Sequence, residues 1–200
     1  MTDWNNISCV CAQKIKEVDG SVDDSTLNDL YIARYINPPN KSYTDKIFRY
    51  KKEIFDSLPS GCSVLIFGSG HPESPNLIKK ICPNIKELGC IDRIKEASFN
   101  LDPDIYFEQC DILIQSLPVH YDFVFSSHTL EHFTRKDLLD TVIPRLKRCA
   151  RKASIHVVPY EDAWGGEPSH RCRFHIDDEL FCLSEKYKII HNNEELVLWM

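Results

Sequence analysis

The stretch Val64-Leu65-Ile66-Phe67-Gly68-Ser69-Gly70-His71-Pro72 decides the fold of this 200-residue chain. Its first four residues are apolar and include two β-branched side chains, which predicts a buried strand. The glycine pair Gly68 and Gly70 follows, and residues 77–81 then have helical spacing. A strand, a tight glycine turn and a helix in this order are typical of the first unit of a doubly wound α/β sheet. By itself, Gly-x-Gly after a strand is also compatible with an ordinary turn.

The composition is that of an ordinary globular domain, with 42% apolar and 27% charged residues. A net charge of -6 argues against a general nucleic-acid binder, which usually has a basic surface. No run approaches the roughly 18 apolar residues that span a membrane, and residues 1–6 lack the features of a signal peptide. We therefore predict a cytoplasmic protein that does not bind membranes, and the sequence leaves its oligomeric state open. The nine cysteines have no C-x-x-C spacing, which favours reduced structural thiols.

The chain alternates strands and helices from residue 61 onward. This pattern predicts a Rossmann-like, doubly wound, mostly parallel seven-stranded sheet over residues 61–200, closed by an antiparallel C-terminal edge hairpin. Residues 1–60 predict an N-terminal helical cap, which could cover a pocket or pack beneath the sheet. The predicted strands are 63–67, 87–91, 105–109, 121–126, 153–158, 187–191 and 195–199, and the predicted helices of the α/β domain are 74–82, 93–99, 134–148 and 176–184.

Acidic residues follow two of the predicted strands where a ligand would bind. Asp92 ends the second strand, 22 residues beyond Gly70, and is placed to accept hydrogen bonds from a ribose diol. Asp111, with Ile112 beside it, ends the third strand and could bind an adenine amino group. Each carboxylate alone is also compatible with a helix N-cap. Because strand ends of a parallel sheet share one edge, together they indicate a nucleoside site.

The fourth strand ends in Ser126-Ser127-His128-Thr129-Leu130-Glu131-His132-Phe133. His128, Glu131 and His132 lie at i, i+3 and i+4 and would share one face of a helix. Three alternatives remain open for them. They could supply a general base, bind a divalent metal, or organise the loop by hydrogen bonds. We assign no metal on this pattern.

The block from Tyr121-Asp122-Phe123-Val124-Phe125 to Leu130-Glu131-His132-Phe133 resembles the class I S-adenosylmethionine-dependent methyltransferases, in the group with Leu-Glu-His after strand four. The resemblance covers residues 61–200, including the closing hairpin. It implies S-adenosylmethionine as the cofactor, with the glycine turn along its methionine and ribose and Ser127 and His128 near the reacting methyl. The cofactor-binding residues that it implies are Phe67, Gly68, Ser69, Gly70, Asp92, Arg93, Asp111, Ile112, Ser127 and His128.

The sequence departs from that family at two positions. Ile66 stands where the family usually has an acidic residue, and Pro72 stands at the third glycine position. Pro72 is compatible with a helix start, whereas the loss of the acid could weaken binding of the cofactor's ammonium end. A non-catalytic binding or scaffold domain therefore remains an alternative. A nicotinamide-dependent oxidoreductase fits less well, because residues 68–73 lack the final glycine.

The loop after strand five, residues 159–175, combines aromatics, carboxylates, histidines and arginines. Long loops of this kind often carry function. We predict that His170 or His175 is a base and that Arg171 or Arg173 binds an anionic part of the acceptor. A surface loop paired with the protein's own carboxylates is the alternative. The predicted catalytic residues are His128, His132, His170 and His175, and the predicted substrate-binding residues are Tyr160, Trp164, Arg171 and Arg173.

Taken together, the sequence predicts transfer of a methyl group to an oxygen or nitrogen of a small polar acceptor. A sugar or another metabolite with a negative group is the first expectation, because the loop carries two arginines. An RNA or protein methyltransferase is the alternative enzyme class. The acidic net charge makes nucleic acid the less favoured of these acceptors.

Overall fold

The computed structural model describes residues 29, 31–33, 35, 51–117, 120–160, 170–174, 184, 186–190 and 195–200. They contain a seven-stranded sheet with the strand order β3-β2-β1-β4-β5-β7-β6. The strands are β1 Cys62–Phe67, β2 Ile85–Asp92, β3 Tyr106–Gln109, β4 Tyr121–Ser127, β5 Ala150–Pro159, β6 Lys186–Ile190 and β7 Glu195–Trp199.

Most of the sheet is parallel, and its edge is antiparallel. β1 pairs in parallel with β2 and β4, and β3 and β5 extend the parallel sheet on either side. β7 pairs antiparallel with both β5 and β6, which forms the edge hairpin that the sequence predicts. The chain first builds outward from β1 to β3 and then restarts at β4 on the other side of β1. Ligands in such sheets bind at this switch point, beyond the carboxyl ends of β1 and β4.

Apolar side chains cover both faces of the sheet. On one face, Phe55 from the helical residues 51–56 and Ile78 from helix α1, Glu73–Ile81, pack against β1 and β4. The rings of Phe55 and Phe125 have centroids 4.7 Å apart. On the other face, the helix that follows β4 buries Leu138 and Leu146. A core on both faces explains why β1 and β4 are nearly continuous apolar runs.

The helix after β4 is less regular than the sequence predicts. It consists of α-helical Arg135–Asp137, a π-helical stretch Leu138–Val142 and α-helical Ile143–Cys149. Pro144 explains the difference, because proline has no N–H to donate and its ring collides with the carbonyl four residues earlier. The widened turn accommodates this residue without ending the helix.

The predicted helix 93–99 is also shorter in the structure. Only Lys95–Ser98 forms a turn, of the 3-10 type. The Asp92 carboxylate accepts a hydrogen bond from the Ile94 amide, and residue 94 is extended, so the helical turn starts later.

Part of the predicted N-terminal cap is described, and this part is helical at residues 29, 31–33, 35 and 51–56. The 51–56 piece packs beneath the sheet through Phe55. Residues 57–60 are described and are not helical, and the remainder of 1–60 lies outside the described residues, as does the predicted helix 176–184 apart from Ser184. Among the described helices, none has the length and apolar character needed to cross a bilayer.

The cysteines of the described residues are free thiols. Five are buried, and Cys172 is half-buried. Burial raises the pKa of the Cys62, Cys82, Cys110 and Cys149 thiols and, most strongly, that of Cys90. These five thiols therefore behave as small apolar side chains of the core.

Candidate functional site

The turn after β1 needs glycine at two positions for different reasons. Gly68 and Gly70 have φ angles of 66° and 63°, in the left-handed region that favours glycine. A Cβ atom at position 68 would lie 2.3 Å from the Thr129 side chain, so the turn after β1 touches the turn after β4. A Cβ atom at Gly70 would meet only the ring and hydroxyl of Tyr35, at 3.9 Å. The space into which a side chain would point at Gly70 is therefore largely open.

Asp92 joins this turn to β2. Its Oδ2 accepts a hydrogen bond from the Gly70 amide at 3.0 Å, and its Oδ1 accepts one from the Ile94 amide at 2.9 Å. Burial raises the pKa of the Asp92 carboxyl, and the two amide hydrogen bonds oppose that rise. Each carboxylate oxygen retains a second lone pair. The acidic residue that the sequence singles out for a ribose therefore also fixes the shape of the glycine turn.

Asp111 lies at the same edge of the sheet as Asp92. Gln109 is paired with Asp92, and the Cys110 amide donates to the Asp92 carbonyl at 2.9 Å. The Asp111 carboxylate accepts a hydrogen bond from the Leu113 amide at 2.9 Å. The two carboxylates thus follow neighbouring parallel strands.

The other predicted cofactor residues surround the same edge. The side-chain hydroxyls of Ser69 and Ser127 are buried and have no hydrogen-bond partner among the described residues, although the Cys90 thiol lies near the Ser69 hydroxyl. Buried hydroxyls usually have a partner, so a polar ligand between the ends of β1 and β4 fits both. Phe67 and Ile112 are buried, and Phe67 stacks on Phe133 with centroids 6.1 Å apart. Arg93, in contrast, is exposed.

His128 bridges two acidic residues after β4. Its φ angle is 52°, an uncommon value for a residue with a side chain. Its Nε2 lies 2.8 Å from Glu195 Oε1, and its Nδ1 lies 3.5 Å from Glu131 Oε1. Burial alone would lower the pKa of His128, but its contacts with the two negatively charged carboxylates raise it to about 9. His128 is therefore a positively charged imidazolium at neutral pH.

Glu131 is the centre of a group of side chains that also contains His128, His132 and His170. Its side chain is only 1% exposed. Residues Leu130–His132 form a 3-10 turn rather than a longer helix. The Glu131 carbonyl accepts hydrogen bonds from the Arg171 amide at 2.7 Å and the Cys172 amide at 3.2 Å. These bonds hold residues 170–172 against the turn, and His170 Nε2 lies 3.9 Å from Glu131 Oε1. The structure thus brings the turn after β4 into contact with the loop after β5, which the sequence analysis treats as two separate regions.

Glu131 also has a shifted pKa. Burial would raise the pKa of its carboxyl, but the contact with His128 and the positive charges of His132 and His128 lower it. The carboxylate therefore stays ionised although it is buried. An ionised carboxylate in this position attracts cations and polarises the imidazoles around it.

Sequence reasoning missed three residues that face this group. The Tyr31 hydroxyl lies 3.3 Å from His132 Nδ1 and 3.2 Å from His132 Nε2. Glu195, at the start of β7, is buried against His128. Lys51 has a pKa lowered by burial to about 8, with the charge of Glu195 opposing the shift. No local pattern marks these residues, because their partners are distant in sequence.

The predicted substrate-binding residues are only partly described. Tyr160 is half-buried and forms a bridge with Phe174. Arg171 and Arg173 are exposed on the segment that adjoins Glu131. Trp164 and His175 lie outside the described residues.

No protein-family model and no curated protein sequence matches the chain. Solved structures do match it. A chain from the complex of the Haloferax volcanii Trm112 methyltransferase activator with a methyltransferase has a TM-score of 0.64 and 15% identity, covering 85% of this chain and 81% of that one. DhpI in complex with SAH has a TM-score of 0.60 and 15% identity, covering 86% of this chain and 93% of that one.

A third similar structure is the N-methyltransferase NodS from Bradyrhizobium japonicum WM9. Its TM-score is 0.60 at 13% identity, and the match covers 80% of this chain and 97% of that one. Identity this low shows similarity of fold, and function has to be argued from the site itself. The strand order and the matches agree with the resemblance seen in the sequence. This chain has the fold of the class I S-adenosylmethionine-dependent methyltransferases.

Proposed function

We propose that this protein is an S-adenosylmethionine-dependent methyltransferase that acts on an oxygen or nitrogen of a small polar acceptor. One observation carries the proposal. The glycine turn with Asp92, and the group of His128, Glu131 and His170, meet at one edge of the sheet, and Gly68 contacts Thr129 between them. A methyltransferase needs this juxtaposition, because cofactor and acceptor must be aligned for displacement at the methyl group.

The residues on the β1–β3 side suit the cofactor. The cofactor would supply a methyl group on a sulfonium, which leaves as a neutral thioether. Asp92 would accept hydrogen bonds from ribose hydroxyls through its second lone pairs, and Asp111 with Ile112 would hold the adenine. The hydroxyls of Ser69 and Ser127 support this assignment, because a polar ligand between them would supply the hydrogen bonds that these buried groups lack.

The residues on the β4–β5 side suit the acceptor and its proton. His128 is a poor base, because its pKa of about 9 keeps it protonated and both its nitrogens face carboxylates. His132 and His170 are therefore the better candidates for holding a proton from an acceptor hydroxyl. The Glu131 carboxylate would stabilise the positive charge that such an imidazole gains.

The acceptor would be anionic if the arginines take part. Arg171 and Arg173 are exposed on the segment whose backbone is bonded to the Glu131 carbonyl. A planar guanidinium can bind both oxygens of a carboxylate or phosphate. A sugar acid, a phosphorylated metabolite or a comparable compound fits this description.

Calorimetric titration tests the proposal. We expect S-adenosylhomocysteine to bind and NAD not to bind, and Asp92→Ala to weaken the binding of S-adenosylhomocysteine by about 10-fold or more. A metabolite screen with a cofactor labelled in its methyl group would then identify the acceptor. Absence of S-adenosylhomocysteine binding would contradict the proposal and favour a scaffold role. Labelling of RNA or protein alone would contradict the small acceptor.

A further inference from the structure

Glu131 is a buried carboxylate that the described residues do not satisfy. Neither of its side-chain oxygens has a hydrogen-bond partner among the described residues, and the side chain is 1% exposed. His128 approaches one oxygen only at 3.5 Å, while its other nitrogen binds Glu195 at 2.8 Å. Burying a carboxylate is costly unless a charge or a metal compensates for the lost water. The two oxygens of Glu131 thus mark a position for a cation.

Two imidazoles lie where they can share that cation with Glu131. One ligand atom from each of Glu131, His132 and His170 can be chosen so that all three atoms lie within 4.8 Å of one another. The rings of His132 and His170 have centroids 5.4 Å apart and are inclined at 63°. Ligand atoms of a tetrahedral site are about 3.3 Å apart when its metal–nitrogen bonds are about 2.0–2.1 Å. Modest rotation of side chains on a fixed backbone would close this gap.

The surroundings hold these ligands in place. The Arg171 and Cys172 amides donate to the Glu131 carbonyl, which fixes the residue next to them, His170, against the turn. The Tyr31 hydroxyl lies 3.2 Å from one nitrogen of His132 and 3.3 Å from the other. The hydroxyl therefore contacts the ring at both nitrogens, and a group that contacts a ligating histidine helps to hold its ring in position.

We propose that Glu131, His132 and His170 bind a divalent transition-metal ion. Two imidazoles and one carboxylate suit zinc, manganese, iron or cobalt, whereas magnesium and calcium prefer all-oxygen sites. Three protein ligands leave at least one coordination position for water or a ligand oxygen. If the protein is the methyltransferase proposed above, an oxygen-bearing acceptor would coordinate there, and the metal would promote loss of its proton in place of a free His132 or His170 imidazole.

Metal binding can be measured without the cofactor. After treatment with EDTA, the full chain is titrated with Zn²⁺ by calorimetry and with Co²⁺ by visible absorption, which reports the ligand geometry. We expect one ion per chain and a tetrahedral or five-coordinate cobalt spectrum. Glu131→Gln and His170→Ala should each lower the affinity about 100-fold or more, since even second-shell changes cost about 10–100-fold.

A matched control separates this site from adventitious binding. His120 is exposed and lies outside the group, so His120→Ala should bind both ions as the wild type does. Tyr31→Phe should weaken binding by about 10-fold without abolishing it. Circular dichroism and thermal unfolding of each variant verify that it is folded. Because zinc is titrated alone, failure of the methyltransferase proposal would leave this result unaffected.

Two outcomes would overturn the metal site. One is unchanged Zn²⁺ affinity in both Glu131→Gln and His170→Ala. The other is an equal loss in His120→Ala, which would mean binding to surface histidines. If Glu131→Gln fails to fold, His170→Ala decides alone, because the His170 side chain is 18% exposed and contributes less to the core.

Discussion

Asp92 and Glu131 are two buried carboxylates at the same edge of one sheet, and different groups surround them. Asp92 accepts backbone hydrogen bonds from Gly70 and Ile94, so the polypeptide itself compensates for its burial. The Glu131 carboxylate has no hydrogen-bond partner among the described residues, and neighbouring imidazoles compensate for its burial. At Asp92 the effect of burial outweighs that of the amide hydrogen bonds and raises the pKa, whereas the imidazoles around Glu131 lower its pKa. The Asp92 carboxylate is thus held by backbone amides, whereas the Glu131 carboxylate depends on the positive charge of neighbouring side chains.

Gly68→Ala breaks the contact between these two regions and should have the largest effect. The new Cβ would lie 2.3 Å from the Thr129 side chain, at a φ angle of 66°. Overpacking and backbone strain together should lower the free energy of unfolding by about 2–5 kcal/mol. Urea denaturation measures the loss. Gly61→Ala is the matched control, because its φ angle is 80° but nothing lies within 4 Å of its Cβ. Equal losses in both variants would show that the contact is unimportant.

Neutralising the two carboxylates in turn sharpens the comparison. Asp92→Asn turns an acceptor of two amide hydrogen bonds into a partial donor and should cost about 2 kcal/mol of folding stability. Glu131→Gln removes one of the two carboxylates that balance the buried positive charge of His128 and should cost about 1–3 kcal/mol. Chemical denaturation at pH 7 compares them directly. Unchanged stability in Glu131→Gln would contradict the role of Glu131 in balancing the charge of His128.

His156 is a third buried titratable residue, and its shifted pKa should make the free energy of unfolding depend on pH. Its Nδ1 lies 2.8 Å from Ser126 Oγ, and burial lowers its pKa from 6.5 to about 3. The unfolded chain therefore binds a proton between these pH values that the folded chain does not bind. The free energy of unfolding should fall by about 1.4 kcal/mol for each pH unit below about 6.5. Asp92 has a raised pKa, so its own contribution to the free energy of unfolding should increase as the pH falls.

His156→Gln isolates this contribution. The difference in unfolding free energy between the wild type and this variant should shrink as the pH falls from 6.5 to 4.5, because Gln does not titrate. Urea titrations at several pH values measure it. A difference that is independent of pH would show that His156 is protonated in the folded state.

The smallest expected effect is that of a helix cap on the β4 side. Thr134 Oγ1 accepts a hydrogen bond from the Asp137 amide at 3.1 Å, at the start of the helix after β4. Thr134→Ala should lower the unfolding free energy by about 1 kcal/mol. The affinity for S-adenosylhomocysteine should stay unchanged, since the cap is outside the glycine turn. A loss of affinity would mean that this helix supports the cofactor side as well.

Local patterns were enough to predict most of the sheet. The predicted strands at 63–67 and 195–199 match β1, Cys62–Phe67, and β7, Glu195–Trp199, within one residue. Their short apolar runs predict buried strands, because a strand that is buried on both faces has few polar residues. The π-helical stretch before Pro144 was missed, since helical periodicity is almost the same on either side of it. The glycine turn and Asp92 were predictable because they lie on consecutive elements.

The sequence by itself determined the order of the strands along the chain, the glycines with positive φ, and the neighbouring pair Glu131 and His132. These depend on residues close in the chain, where backbone sterics and periodicity act. Only the tertiary structure decided that His170 and Glu195 join them. The distances of 39 and 64 residues from Glu131 are spanned by the pairing of β4 with β5 and of β5 with β7. Such contacts form only when the sheet closes, because no local preference links side chains so far apart.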